Sequence, residues 1–143
     1  MKRVPCSPNE MTNGMVWFPR MLDKIRLHAR GELPAEYIPW LGKGFDGRCL
    51  RYLRVGYDAL VARVHEGGTD AEILQWCFTQ GRELSDEDIA IWSDFLRKRG
   101  WRDSPAVLAD LEDSKKQSGL GHRTDLDTYF LFNDADEGRD QNG

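Results

Sequence analysis

Residues 41–48 read LGKGFDGR and gather three glycines, a lysine, an aspartate and an arginine into eight positions. Successive amides flanked by glycine can form a concave nest for an anion. Lys43 would add a compact point charge, and Arg48 a planar fork that matches a carboxylate or phosphate. Upstream, Arg20, Lys24 and His28 recur every fourth residue, the spacing of one helix edge. If that edge faces the loop, Arg20, Lys24, Lys43, Gly44 and Arg48 make a pocket for a small anionic ligand. Asp46 works against such a field. The same glycines also suit a plain corner, because Gly42 and Gly44 permit positive φ and Gly47 relaxes the start of the next helix. The phosphate loop GxxxxGK(S/T) is absent.

Other chemistries find less support. His28, His65, His122, Cys6, Cys49 and Cys77 form no CxxC, HxxxH or HExxH, so neither a metal nor a cofactor is expected. No GxSxG elbow presents a nucleophile. A Cys–His pair assembled in space stays open, because such pairs are not adjacent in sequence. The acidic runs DEDIAIWSD and DADEGRD read as helix-start charges or solvated faces. Residues 57–81 resemble a helix–turn–helix, but Thr69 to Gln80 carries Asp70 and Glu72 and no Lys or Arg. Acids would repel phosphates, so no nucleic-acid partner is expected.

These groups must be positioned by a chain of 143 residues, enough for one core without covalent staples. With 40% hydrophobic and 31% charged residues, five tryptophans and six phenylalanines, it is expected to fold. The organisation expected is an extension over residues 1–12, a single helical domain over 13–139, and a frayed end at 140–143. MKRVPCSPNE has no apolar run behind its basic residues, so no signal peptide is expected. No stretch approaches the length of a membrane span. Three widely spaced cysteines are no disulfide framework, and a reducing cytoplasm follows as the expected location. Residues 1–63 carry 11 Lys and Arg against 6 Asp and Glu, whereas residues 64–143 carry 9 against 18. Either the two halves pack together and their fields partly cancel, or the basic half holds an anion.

The punctuation is helical. FPRMLDKIRLHARG puts Phe18, Met21, Leu22, Ile25 and Ala29 on one face, with Pro19 in the first turn and Gly31 past the end. ELPAEYIPWLGKG follows as an ordered Gly/Pro-rich loop whose Tyr37, Ile38, Trp40 and Leu41 call for burial. Asp46 is placed to cap a short helix carrying Cys49, Leu50 and Leu53. Thr69, Ser85 and Ser104 are expected caps, and Gly81, Gly100 and Gly119 expected stops. Trp92 shares a face with Ile89 and Leu96 and is expected in the core. A last helix would start at Thr124, although Tyr129 to Phe132 also permits a short buried strand. No other strand pattern appears. The sum is an all-α domain of six or seven short helices held by tertiary packing.

FPRMLDKIR, LGKGFDGR and DADEGR together resemble the bacterial family known as domain of unknown function 5069, over about Asn13 to Arg139. The resemblance implies a stand-alone, single-domain bacterial protein. It supplies no activity, cofactor or catalytic residue. The function expected is that of a binding or interaction module without a recognisable catalytic motif and without a membrane partner. The alternatives are an enzyme or sensor acting on a small anionic metabolite at Arg20, Lys24, Lys43 and Arg48, and a protein–protein adaptor that meets another protein through an apolar patch around Trp40 or Trp101. A concave cationic cleft would favour the first alternative and a flat aromatic surface the second.

Overall fold

Capping chemistry sets most of the boundaries in the computed structural model, which describes residues 1–139; the end expected to fray at 140–143 lies outside them. Among the described residues seven α-helices run in order: α1 Phe18–Ala29, α2 Phe45–Leu53, α3 Tyr57–His65, α4 Asp70–Gln80, α5 Asp86–Lys98, α6 Pro105–Gln117 and α7 Tyr129–Asp136. The all-α class is therefore as the sequence predicts. At α4 the Thr69 hydroxyl accepts from the Glu72 amide at 3.1 Å, and Glu72 accepts from the Thr69 amide at 2.8 Å. Ser85 and Asp88 repeat this capping box at α5, and the Ser104 hydroxyl caps α6. Gly31, Gly67, Gly100 and Gly119 follow helix ends with positive φ. Gly81 closes α4 at φ −112° for a different reason: a side chain there would meet the Leu53 carbonyl.

The last helix begins four residues later than the sequence suggests. Thr128, not Thr124, is its cap, with its hydroxyl accepting from the Leu131 amide at 3.2 Å. Tyr129 to Phe132 is helical, and it buries Phe130 and Phe132 while leaving Leu131 exposed. Asp46 is likewise not a cap. Gly44 holds that position, and Asp46 lies inside the first turn of α2.

One element escaped the apolar pattern. Strands β1 (Met11–Thr12) and β2 (Met15–Val16) pair antiparallel, with Met11 opposite Val16. Asn13 and Gly14 close the hairpin at φ 50° and 86°, the double positive φ that favours Asn-Gly in a tight turn. Two-residue strands are too short for alternation to register. The hairpin docks on α5: the Val16 amide donates to the Ser93 hydroxyl, which donates to the Gly14 carbonyl, and the Trp92 indole donates to the Val16 carbonyl at 2.9 Å.

Helix α1 lies at the centre. Phe18, Met21, Leu22 and Ile25 pack with Leu53, Leu60, Ile73, Leu74, Trp92, Leu96 and Phe130 in one buried cluster. Ala29 is exposed, and Leu27 is the buried residue of that last turn. Residues 3–8 run alongside, tied by the Arg3 amide to the Glu32 carbonyl, the Cys6 amide to Asp23, and the Pro8 carbonyl to the Trp17 amide. The Gly/Pro-rich loop contains a 3-10 helix at Ala35–Trp40. No residue of that 3-10 helix is buried, and Ile38 and Trp40 are 43% and 59% exposed. The burial that the sequence predicts for Tyr37, Ile38, Trp40 and Leu41 is not reached: Tyr37 and Leu41 are half-buried, and Tyr37 and Trp40 line a cleft. No helix among the described residues is long and apolar enough to cross a membrane.

Candidate functional site

The cleft has a volume of about 530 Å³ and opens between α1, the 3-10 helix, the Lys43–Arg51 segment and the facing parts of α6 and α7. Arg20, Lys24, Lys43, Gly44 and Arg48 all line it. His28 does not; it is exposed at the far end of α1. The spacing of Arg20 and Lys24 brings both to the floor, one turn apart on the buried helix.

There they are already paired. The Lys24 ammonium sits 2.8 Å from Asp46 Oδ2, and the Trp17 indole N–H donates to Asp46 Oδ1 at 2.8 Å. Asp46 is fully buried and Lys24 only 4% exposed. Burial pushes the Lys24 ammonium pKa down, and the Asp46 charge pulls against it without cancelling the shift. Arg20 grips Glu137 with both terminal nitrogens, at 2.8 and 2.6 Å, and also donates to the Cys6 carbonyl. The Tyr37 hydroxyl and Arg139 donate to the same carboxylate. Burial alone would raise the Glu137 pKa, but the Arg20 bond and charge, with Tyr37 and Arg139, outweigh it and hold the carboxyl below its ordinary range. Both α1 cations stand over the Trp17 ring, at 5.2 Å for Arg20 and 5.1 Å for Lys24. Trp17 itself takes φ +73°, rare for a bulky residue.

The glycine loop turns at φ +73° for Gly42 and +58° for Gly44. Its amides serve the fold: Gly42 N–H donates to Asp46 Oδ2, and Lys43 N–H to the Trp40 carbonyl. The anion that this loop cradles with Gly42 is thus the carboxylate of its own Asp46. A foreign anion would be met by side chains.

Those side chains are on the rim. Lys43, Arg48 and Arg51 line one side of the cleft and have no ion-pair partner among the described residues. Arg99 joins them from the end of α5, pairing with Asp103 at 2.8 Å. Arg48 and Arg99 both stack on Phe95, at 5.2 and 5.4 Å. Burial lowers the Arg48 pKa, and the charges of Arg99 and Arg51 lower it further. Glu36 of the 3-10 helix, Asp110 of α6 and Asp136 of α7 also line the cleft, with Asp110 accepting from the Tyr129 hydroxyl. Sequence reasoning missed Arg51, though it lies three residues from Arg48 on one helix, and it missed Arg99, which no local signal connects to the loop. Among the described residues no group of three His, Cys, Asp or Glu side chains is arranged to hold a metal.

The arrangement sets charged side chains and aromatic faces around one open cleft. No curated protein matches the chain. The family described as domain of unknown function (DUF5069) matches residues 2–139 of the 143, taking in the α1 cations, the glycine loop and the Glu137 clamp alike, and the chain belongs to that family.

Proposed function

We propose that the protein is a binding module that takes a small anion against Lys43, Arg48, Arg51 and Arg99. One observation carries the reading: four cations converge on one cleft, three of them without a carboxylate partner among the described residues. Like charges held together raise one another's energy, and a bound anion relieves that repulsion. Arginine forks suit phosphate or carboxylate, and Lys43 adds a charge at the loop. Arg20 and Lys24, ion-paired with Glu137 and Asp46, shape the floor and present little free charge. Trp40 lines the concave cleft instead of standing on a flat face, which favours a small ligand over an adaptor surface there. We propose the bacterial cytoplasm as the setting; three unpaired cysteines, two of them buried, suit its reducing conditions.

The test is thermal unfolding in phosphate and in sulfate against chloride at constant ionic strength. An anion that binds the folded state raises the melting temperature by mass action. The Lys43→Met/Arg48→Met double variant should fold and lose that gain. A wild type indifferent to both anions would overturn the reading.

A further inference from the structure

The cleft is bipolar. Lys43, Arg48 and Arg51 face it from one side, and Glu36, Asp110 and Asp136 from the other; none of the six has an ion-pair partner among the described residues. Flexible opposite charges on a surface tend to close on one another when their backbones allow it. Here the cationic side belongs to the glycine loop and α2, and the acidic side to the 3-10 helix, α6 and α7. No cation of the first set lies within ion-pair distance of an acid of the second. A lone phosphate would fill little of about 530 Å³ and would leave the acidic side facing an added negative charge.

Resting on the anion reading above, we infer that the ligand is a zwitterion, with its anionic group on Lys43, Arg48 and Arg51 and a cationic amine on Glu36 and Asp136. The acidic side is built to want such a group. Burial raises the Asp136 pKa; Ser118 bonding offsets part of that, while the charges of Glu137 and Glu36 add to it. Arg20, the cation whose charge acts on Asp136, is committed in both terminal nitrogens to Glu137 and Cys6. Arg20 is 3% exposed and its Nε has no hydrogen-bond partner, so the floor between the two sides holds an unsatisfied donor. Trp40 joins the sides. It lies four residues beyond Glu36 on the 3-10 helix, and its ring lies over Gly44 of the glycine loop. That ring is 59% exposed and offers a face to an ammonium or to the methylenes of a spacer.

The experiment is isothermal titration calorimetry of the full chain near neutral pH at constant ionic strength. The probes are ω-aminoalkyl phosphates of increasing chain length, each paired with the alkyl phosphate of the same length. The best-fitting aminoalkyl phosphate should bind at least about tenfold more tightly than its partner, a difference of about 1.4 kcal/mol. In Glu36→Gln/Asp136→Asn the two probes should become equal, with the alkyl phosphate binding no more weakly than to wild type. Equal affinities in wild type at every length, or a preference that survives the double substitution, would overturn the zwitterion and leave the anion reading standing. Failure of both probes and of inorganic phosphate to bind would overturn the two together.

Discussion

Arg20 and Glu137, 117 positions apart, meet in a bidentate ion pair sealed from solvent. One helical turn further along α1, Lys24 meets Asp46. The two contacts join FPRMLDKIR to DADEGR and to LGKGFDGR, so the three segments that mark the family share one buried polar junction. Arg139 extends it to Asp134 and to the Pro5 carbonyl, and Ser7 and Asn9 reach Asp134 from the N-terminal stretch. Buried pairs of this kind contribute little net stability against apolar substitutes. Their effect is positional: each charge has only one place where it is satisfied.

Breaking one partner should therefore cost far more than removing both. Asp46→Ala strands the Lys24 ammonium and removes the acceptor of the Trp17 indole and the Gly42 amide. The expected loss is about 3–5 kcal/mol in a urea titration. Lys24→Met/Asp46→Leu leaves no buried charge and should cost less than the single change. If Asp46→Ala loses under about 1 kcal/mol, Lys24 has another partner.

The Glu137 cluster predicts an acid limb. Its carboxyl titrates below the ordinary value of 4.5, because Arg20, Tyr37 and Arg139 outweigh burial. Unfolding restores the higher value, so the unfolded state takes up the proton first as pH falls. The stability this carboxylate contributes is whole above about pH 4.5 and is lost as pH drops from there through the folded value. Urea midpoints between about pH 6 and about pH 3 should fall on that limb. Glu137→Gln should be less stable overall but flatter across it; an unchanged slope would assign the limb to other carboxylates.

Much of the fold was legible because capping is local. Thr69 with Glu72, and Ser85 with Asp88, declare helix starts within four residues, and both boxes form. The β1–β2 hairpin was not legible from alternation, since its strands have two residues each; the Asn13–Gly14 pair was the readable signal. Spacing gave the shared edge of Arg20 and Lys24, but not their partners, since Glu137 is distant and Asp46 reads locally as a charge that only weakens the field. The uneven charge of the chain reappears as geometry. The basic half supplies Lys43, Arg48 and Arg51 to the cleft and the acidic half Asp110 and Asp136, although Glu36 and Arg99 cross that division.

Glycines 81 and 119 should separate close approach from backbone strain. A side chain at Gly81 would place its Cβ 2.0 Å from the Leu53 carbonyl oxygen and 2.6 Å from that of Arg54. Both are backbone atoms, and the Arg82 amide holds the Leu53 carbonyl in place at 2.9 Å. Gly81→Ala must push the end of α2 from the end of α4 and should cost about 3 kcal/mol or more. Gly119 has φ +76° and nothing within 4 Å, so Gly119→Ala should cost only the left-handed penalty of about 1–2 kcal/mol. Equal losses in thermal unfolding would show that the α2–α4 junction can yield.

Arg51 gives the sharpest test of whether the cationic rim exists for a ligand. It is exposed, has no ion-pair partner among the described residues, and its charge lowers the Arg48 pKa. In the free protein it is a source of repulsion and of little else. Arg51→Met should leave stability unchanged or raise it by up to about 0.5 kcal/mol at low salt. That gain should shrink as salt screens the cluster. In saturating phosphate the order should reverse, because wild type then gains from binding and the variant gains less. A rim that served the fold alone would show the opposite: Arg51→Met would be less stable at low salt, by the same amount with phosphate or without it. The crossing of the two melting curves between chloride and phosphate is thus the signature of a site whose charges are held at the expense of stability until an anion arrives.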